Sequence, residues 1–499
     1  MKSRVLSKSA FIKGKQCEKS LWLHYHQSSF RDKPDELRRS LFDRGHKVGL
    51  FARQLFPGGV DSSASAPAQW AKAVEQTKKF IQEGREVIYE AAFEYEHCLV
   101  FADLFVKSEK GWKVYEVKSS LRTSENHLHD AAFQYHVIRG AGHEIEAFHI
   151  VHPNPEFVLH GQTDAHDFFV INDISEKILP VQNELSEKIK TFKLILDQNH
   201  APLKEVGTHC QSPYPCDFKS HCWGKKTSTH ILNLPGVGIH DSAKWLNNGI
   251  RDIKNIPGNE PLSDFHRQII RAVLENRAMV HLEDLRLWFE QIKYPLAFFD
   301  LEMFMPAIPI YEGTKPFEHL PFAYSMRKVD YPGAPEQTVF FMAPPGSDPR
   351  PVIGEHLLSD LHGIRSLVVF DNTQEHAVFR RLADRYPEKK PLLERLCSQT
   401  ADMAELFVGK KVYFPSMGNS FSLKSLAADA GVHLDALRIN NGYDASSAYE
   451  NLHEPKHLFY DRELREDLRH YSMADTEILA KVFFRLENLL RENYPADAN

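Results

Sequence analysis

The chain has 499 residues, of which 42% are hydrophobic and 26% charged, the composition of an ordinary soluble globular protein. Its formal net charge is −6, from 61 basic and 67 acidic residues, which gives no overall signal for nucleic acid and excludes no class of nuclease. No apolar run approaches the ~18 residues of a membrane span, and the basic N-terminus lacks the apolar core of a secretory signal. We therefore expect a cytoplasmic protein with no membrane partner.

Three helices are predicted before the first strand. Residues 7–25 predict one amphipathic helix, capped by one of its first two serines and containing Cys17. Residues 36–55 predict the most basic helix of the chain, for which phosphate contact and a solvated face are equally good interpretations. Residues 69–84 predict a third helix after a loop of small residues.

A β-hairpin is predicted next, because two β-rich runs, Leu99–Val106 and Trp112–Val117, flank a polar turn. Asp103 lies in the first run, while Glu116 and Lys118 at the end of the second share one face of the strand. Two carboxylates and an ammonium at one sheet edge suit a divalent cation held by oxygens, with the lysine polarising a water or a phosphate. The alternative is a solvated hairpin with a surface ion pair.

The rest of the first half predicts an α/β domain in which helices flank a mixed sheet. Gln134 lies in the middle of the helix that follows the hairpin. The predicted elements are strands at Val87–Phe93, Ile145–Val151 and Asp167–Ile171, and helices at Glu125–Arg139 and Glu176–Gln198.

Three cysteines follow at a spacing typical of a metal site. Cys210, Cys216 and Cys222 are separated by five residues each, and the chain has six cysteines, too few for a disulfide framework at this length. Zinc would take a fourth ligand from His209 or His221. An iron–sulfur cluster would take a fourth thiolate, for which Cys17 is the unpaired candidate, whereas Cys98 reads as a core residue of a strand.

The order Cys17, Asp103, Glu116-x-Lys118, Gln134 and three clustered cysteines resembles the RecB-type nucleases of the PD-(D/E)xK superfamily. The likeness covers residues 1–225 and is to the iron–sulfur branch, which includes the CRISPR-associated RecB-like exonucleases and the AddB nuclease domain. It implies a [4Fe–4S] cluster that joins the two ends of the domain, held by Cys17, Cys210, Cys216 and Cys222.

The same resemblance implies roles for the hairpin residues. Asp103 and Glu116 would be metal ligands, Lys118 the catalytic lysine, and Gln134 the glutamine of a QxxxY-type motif whose tyrosine is displaced. Two departures stand out: the family has two residues between its first clustered cysteines where this chain has five, and its metal-binding histidine lies four residues after a glycine. His46 directly follows a glycine here and is a further candidate.

The middle of the chain predicts a small helical region. The LPGVG segment resembles the turn of a helix-hairpin-helix, in which Gly236 and Gly238 would offer backbone N–H groups to a phosphate. A helical linker with an ordinary glycine-rich turn is an equally good interpretation. Residues 260–293 predict amphipathic helices that bridge the two halves.

The second half begins with an apolar strand, Tyr294–Phe304, that contains Asp300 and Glu302. Alternation puts both carboxylates on one face, and a metal ion would satisfy charges that are costly in so apolar a strand. Tyr471 and Asp475, four residues apart, share a face of a late helix. Such a pair alone is usually a structural one on the surface. The other predicted elements are strands at Pro321–Val329, Thr338–Met342 and Ser366–Phe370, a helix entered through DNTQEHAVFRRLA, and helices at Phe421–Ala430 and Leu458–Leu490.

Together these motifs, over residues 294–490, resemble the DnaQ-type exonucleases of the ribonuclease H-like fold. The resemblance implies Asp300, Glu302 and Asp475 as metal ligands and Tyr471 as the residue that orients the water. The middle acidic position departs from the family motif. Glu375 fits it best, with glutamine in place of the preceding aromatic residue, and Asp371 and Asp402 are alternative ligands.

We therefore expect an α/β multidomain protein: a restriction-endonuclease-like mixed sheet at 1–228, a helical linker at 229–293 and a ribonuclease H-like domain at 294–499. The expected function is a nuclease dependent on Mg²⁺ or Mn²⁺, acting as an exonuclease on single-stranded DNA or DNA ends through two catalytic domains. The alternatives are a nuclease acting on RNA, and a nucleic-acid-binding protein whose C-terminal site is inactive.

Overall fold

The computed structural model of the protein describes residues 4–33, 36–224, 227–434, 437–453 and 461–493. For residues 36–40 and 461 it describes the backbone alone. The chain divides into two compact units. The first comprises Met1–Lys225 and Pro306–Glu318, and the second comprises Lys226–Met305 and His319–Asn499. Each unit combines helices with a mixed sheet, which confirms the predicted α/β multidomain class. None of the helices in the described ranges has the length and hydropathy of a membrane span.

The first unit is built on a seven-stranded mixed sheet in the order β2-β3-β4-β5-β6-β7, with β1 paired to β4. β3, β4 and β5 are antiparallel neighbours, so the predicted hairpin is confirmed. β5 and β6 are parallel and are joined through a helix, as a parallel connection requires. The strands are β1 (Leu6–Ser7), β2 (Val60–Asp61), β3 (Val87–Tyr95), β4 (Cys98–Ser108), β5 (Gly111–Val117), β6 (Ile145–Pro153) and β7 (Phe169–Asp173).

Helices pack on this sheet through aromatic and aliphatic side chains. Phe11 of the first helix stacks on Phe133 of the fifth at a centroid distance of 4.6 Å, and Cys98 is buried in the same core, as predicted. The helices are α1 (Lys8–Gln16), α2 (Glu18–His26), α3 (Glu36–Ala52), α4 (Trp70–Gln82), α5 (Glu125–Gly140), α6 (Ala165–Phe168), α7 (Ser175–Ile178), α8 (Gln182–Leu196) and α9 (Lys219–Trp223). Single 3₁₀ turns lie at Ser28–Phe30, Arg53–Leu55, Pro67–Gln69 and Thr208–Cys210.

Three predicted bounds in this unit are wrong. The helix at 7–25 is two helices, because the backbone is extended at Cys17 (φ −162°, ψ 116°). The helix at 176–198 is interrupted between α7 and α8, where Pro180 supplies no N–H. The strand at 167–171 begins only at Phe169, because the Asp164 side chain accepts a hydrogen bond from the backbone N–H of His166 (2.7 Å) and caps a short helix.

The second unit contains a five-stranded sheet in the order β11-β10-β9-β12-β13. β9, β10 and β11 are antiparallel neighbours, as predicted, while β12 runs parallel to both β9 and β13. A separate two-stranded sheet pairs β8 with β14. The strands are β8 (Met279–Val280), β9 (Leu296–Phe304), β10 (Leu320–Val329), β11 (Gln337–Met342), β12 (Ser366–Val369), β13 (Thr400–Asp402) and β14 (Val412–Tyr413).

The last helix of this unit packs on the central strand through Phe298 and Phe483, whose rings meet at 5.0 Å. The helices are α10 (Ile239–Asn247), α11 (Asp264–Glu275), α12 (Leu282–Glu290), α13 (Pro349–Asp360), α14 (Thr373–Arg385), α15 (Lys390–Ser398), α16 (Ala404–Val408), α17 (Ala427–Ala430), α18 (Gly442–Asn451) and α19 (Asp461–Asn493). 3₁₀ turns lie at Ile231–Asn233, Ile253–Asn255, Pro387–Lys389, Pro415–Met417 and Leu423–Leu426.

Several bounds here also differ from expectation. The helical stretch predicted at 260–293 contains β8 between α11 and α12, because this segment pairs with β14. The helix predicted at Phe421–Ala430 is a 3₁₀ turn followed by α17. The LPGVG turn is preceded by a three-residue 3₁₀ turn, not an α-helix, and is followed by α10. Residues 458–460 of the last predicted helix lie outside the described residues.

Candidate functional site

Asp103 and Glu116 are neighbours on the hairpin of the first unit. β4 and β5 pair antiparallel with Leu104 opposite Tyr115, which brings the two carboxylates together across the ladder. An Oδ of Asp103 accepts a hydrogen bond from the backbone N–H of Val117 at 2.6 Å. Burial, together with the neighbouring carboxylates of Glu116 and Glu90, raises the pKa of Asp103 well above its ordinary value.

Glu116 is 2% exposed, and donors occupy both of its oxygens. Oε1 accepts from Lys118 Nζ at 2.7 Å and from Lys8 Nζ at 2.8 Å, while Oε2 accepts from Gln134 Nε2 at 2.6 Å. Burial alone would raise the pKa of Glu116, but the two lysines hold it well below its usual range. Glu116 is therefore an ionised carboxylate whose charge is balanced by the protein itself.

Two members of this site were missed in the sequence. Asp130 of α5 forms an ion pair with Lys118, and Lys8 at the start of α1 lies 3.8 Å from the same carboxylate. Asp130 could have been found, since it lies one helical turn before Gln134 and shares its face. Lys8 carried no such signal, because it reaches the hairpin only through the tertiary fold. We call the set Asp103, Glu116, Lys118, Gln134, Lys8 and Asp130 the first centre.

His46 is not brought into the first centre. It is exposed on α3, and the structure of the described residues shows no contact between its ring and Asp103 or Glu116. The basic helix therefore contributes no ligand through this side chain.

The four cysteines predicted to bind one group do line one cavity. Cys17 lies between α1 and α2, and Cys210, Cys216 and Cys222 lie near the end of the unit, so the cavity joins its two ends. All four are free thiols. Burial raises the pKa of Cys17, and it raises that of Cys222 to about 11.

The four thiols do not lie as close together as the ligands of one zinc ion would. Tetrahedral zinc with Zn–S bonds of about 2.3 Å would hold its sulfurs about 3.8 Å apart. Within the described ranges, the four cysteines form no group of three or more ligand atoms that lie within 4.8 Å of one another. A cubane cluster separates its thiolates more widely, because each binds a different iron. His209 lies 3.5 Å from Cys210 Sγ, whereas His221 stacks on Phe30 at 4.5 Å.

In the second unit, Asp300, Glu302 and Asp475 meet at one point. One carboxylate oxygen from each lies within 4.8 Å of the others, an arrangement that could hold a metal ion. Asp300 and Glu302 project from β9, and Asp475 projects from α19, which packs on that strand. The predicted alternation along β9 therefore does put both carboxylates at one place.

These carboxylates have fewer compensating donors than Glu116. Glu302 Oε1 and Asp475 Oδ1 are buried atoms without a hydrogen-bond partner in the part of the chain that the structure describes. Burial and the charge of Asp475 raise the pKa of Glu302 to about 8, and burial with Glu302 raises that of Asp300 well above its ordinary value. Hard divalent cations are bound by clusters of carboxylate oxygens of this kind.

Glu375 lies beside this group in the first turn of α14. It is 5% exposed, and its Oε2 is a third buried carboxylate oxygen without a partner among the described residues. Burial, with Asp371 and Asp402, raises the pKa of Glu375 to about 8, and Glu375 in turn contributes to the raised pKa of Asp300. Glu375 does not belong to the group of three carboxylates within 4.8 Å of one another, but its charge acts on Asp300.

The side chains of Asp371 and Asp402, the alternative ligands, accept hydrogen bonds within the loop before α14 and the first turn of that helix. The Asp402 carboxylate accepts the backbone N–H groups of Asp371 (2.9 Å) and Asn372 (3.1 Å). Asp371 Oδ1 accepts from Thr373 Oγ1 at 2.5 Å. Both therefore shape the loop, whereas Glu375 keeps one oxygen without a partner among the described residues.

Tyr471 lies one turn before Asp475 on α19 and is 3% exposed. Its Oη accepts a hydrogen bond from Lys424 Nζ at 2.5 Å. Burial and the charges of Glu302 and Asp475 raise its pKa well above the ordinary value, so the hydroxyl stays protonated. Lys424 was missed in the sequence, since nothing in the stretch FSLKSLA distinguishes it. We call Asp300, Glu302, Glu375, Asp475, Tyr471 and Lys424 the second centre.

The second centre opens into a pocket of about 1080 Å³. Its wall includes Asp300, Asp475 and Lys424, together with Phe370, Asp371, Asp402 and the segment 419–423. Of the four carboxylates of the second centre, Asp300 and Asp475 are therefore reachable from this open side.

A family model described as a domain of unknown function (DUF2779) matches residues 297–422. The match includes Asp300, Glu302 and Glu375 and ends before Lys424, Tyr471 and Asp475. No curated protein matches the chain.

Proposed function

We propose that the chain is a divalent-metal-dependent nuclease with two catalytic centres, one in each unit. The observation that carries the proposal is the second centre: three carboxylates within 4.8 Å, with buried unpartnered oxygens, beside a protonated tyrosine and an open pocket. Carboxylates that repel one another this strongly need a cation, and phosphodiester hydrolysis is the chemistry that such sets serve.

Asp300, Glu302, Asp475 and Glu375 would hold the metal. Mg²⁺ or Mn²⁺ bound there would activate a water and neutralise charge on a phosphodiester. Tyr471 keeps its proton, and its Oη, which contacts both Lys424 and Asp475, could orient a water near the carboxylates.

The first centre is proposed as the second nuclease site. Asp103 and Glu116 supply carboxylates, Gln134 fixes one oxygen of Glu116, and Lys118 supplies a charge that can face a phosphate. The four thiols that line one cavity match a [4Fe–4S] cluster in number, and such a cluster would join the two ends of the unit. Zinc remains the alternative that metal analysis would detect.

The proposed substrate is nucleic acid with an accessible end, single-stranded DNA before RNA. This part of the proposal rests on the resemblances to RecB-type and DnaQ-type exonucleases. The sequence offers no feature that reads the 2′-hydroxyl, so RNA belongs in every assay.

The test is cleavage of end-labelled single-stranded DNA and RNA with Mg²⁺ or Mn²⁺. The wild type is compared with Asp300→Asn/Glu302→Gln in the second centre and Glu116→Gln/Lys118→Met in the first, all near-isosteric changes. We expect each double variant to lower the rate of one of the two activities at least about 100-fold. The reason is loss of the bound metal in the second centre and loss of the charge that stabilises the transition state in the first. Glu394→Gln, an exposed carboxylate of α15 (65%), is the matched control. Two fully active double variants would refute both assignments.

A further inference from the structure

Lys424 is held in one position by four contacts. Its Nζ donates to Tyr471 Oη at 2.5 Å and to the backbone carbonyl of Asn440 at 3.0 Å, and lies 3.7 Å from Asp475 Oδ2. The same ammonium sits 3.9 Å from the centroid of the Tyr471 ring. The side chain of an ordinary surface lysine is not fixed in this way, because fixing its long chain costs conformational entropy.

The ammonium determines which way the Tyr471 hydroxyl can act. Nζ has donors and no acceptor, so the contact uses a lone pair of the Tyr471 oxygen. The single phenolic proton is then donated to Asp475, which forms a side-chain hydrogen bond with Tyr471. Without Lys424, that hydroxyl could also turn and accept from water.

The charge of Lys424 also acts on the whole carboxylate group. It lowers the free energy of the ionised forms of Asp300, Glu302 and Asp475. The four carboxylates of the second centre carry a formal charge of −4, which two divalent cations would cancel. Lys424 then leaves one positive charge on the pocket wall, equal and opposite to one phosphodiester.

We propose that Lys424 is a positioning residue of the second centre, which orients the Tyr471 hydroxyl and supplies the positive charge that matches a phosphodiester after metal has bound. This rests on the proposed function, in that it takes the second centre to be a metal site. It adds that the lysine weakens metal binding, because it repels the cations, and strengthens catalysis. A purely structural lysine would do neither.

The experiment measures Mn²⁺ affinity by electron paramagnetic resonance, separately from activity. The variants are Lys424→Met, Lys424→Arg and, as the matched control, Lys481→Met, which removes an exposed lysine (44%) of α19. We expect Lys424→Met to bind Mn²⁺ at least threefold more tightly at pH 9, where protons compete least for the carboxylates, because a positive charge 3.7 Å from a ligand is removed. Its kcat should fall at least tenfold. Lys424→Arg should keep the wild-type Mn²⁺ affinity, and Lys481→Met should change neither quantity.

The outcomes separate this inference from the proposed function. Unchanged or weaker Mn²⁺ binding by folded Lys424→Met, as judged by circular dichroism, overturns the role of Lys424. If Lys424→Met binds Mn²⁺ more tightly and the wild type cleaves neither DNA nor RNA, the electrostatic role of Lys424 stands and the proposed nuclease function is refuted. A wild type that binds no Mn²⁺ at this centre overturns both.

Discussion

The two centres contain similar residues but differ in how their charges are balanced. Glu116 in the first centre has two lysines and a glutamine within hydrogen-bonding distance, at 2.6–2.8 Å. The carboxylates of the second centre have one lysine, 3.7 Å from Asp475, and keep buried oxygens without partners within the described residues. A carboxylate is stable when buried only if donors or a cation compensate for its lost hydration.

The two centres therefore have different requirements. In the first centre, Glu116 can stay ionised without a metal, because Lys8 and Lys118 compensate its charge. The second centre stays protonated or strained until a cation arrives. Stability measured with and without metal should therefore distinguish the two units, in the order of effects that follows.

The largest effect should be that of pH on the metal-free second unit. Burial raises the pKa of both Glu302 and Glu375 from 4.5 to about 8, so the folded unit binds more protons than the unfolded chain between these values. Its stability is present at low pH and is lost as the pH rises toward about 8, by on the order of 3 kcal/mol for each of the two groups. Thermal unfolding in EDTA at pH 5 and pH 8 measures this. A second unit equally stable at both would contradict the comparison.

The next effect is stabilisation by metal at pH 8. Mn²⁺ at 100 times its dissociation constant should stabilise the second unit by about 2.7 kcal/mol, since it binds the folded form. Asp300→Asn/Glu302→Gln should lose this response and be more stable than the wild type in EDTA. A calorimetric scan of each protein with and without Mn²⁺ is the measurement. An equal response in the double variant would place the metal elsewhere.

In the first centre, the lysines should matter more than added metal. Lys8→Met removes a hydrogen bond of 2.8 Å to the buried Glu116 carboxylate, which should destabilise the first unit by about 2 kcal/mol. The second unit serves as the internal control, because its unfolding should not change. Urea unfolding followed in both units tests this, and an unaffected first unit would show that Lys118 balances Glu116 alone.

The smallest effect distinguishes Glu375 from Asp402 as the fourth carboxylate. Glu375→Gln should weaken Mn²⁺ binding about tenfold, because its carboxylate acts on Asp300 and keeps a buried oxygen without a partner among the described residues. Asp402→Asn should leave the affinity within about twofold and destabilise the loop it caps by about 1 kcal/mol. Mn²⁺ titration of both variants decides. The reverse pattern would make Asp402 the ligand.

Local patterns in the sequence predicted much of this arrangement. Alternation along β9 put Asp300 and Glu302 on one face, and helical spacing joined Tyr471 to Asp475, because both depend only on backbone geometry. The hairpin that carries Asp103 and Glu116 followed from its two β-rich runs and polar turn.

Tertiary placement was beyond the sequence. Lys8 and Lys424 come from elements far along the chain from the carboxylates they contact, and no spacing rule connects such residues. The break of the first helix at Cys17 was missed for a similar reason. The flanking residues have helical propensity, but the backbone is extended at Cys17, whose thiol lines the same cavity as Cys210.

The most direct test of the central claim is a crystal of the protein soaked in Mn²⁺ and measured for anomalous scattering. The account predicts a peak between the carboxylates of Asp300, Glu302 and Asp475, absent from crystals of Asp300→Asn/Glu302→Gln. At saturating Mn²⁺, density that shows these carboxylates still gathered with no anomalous peak among them would contradict it.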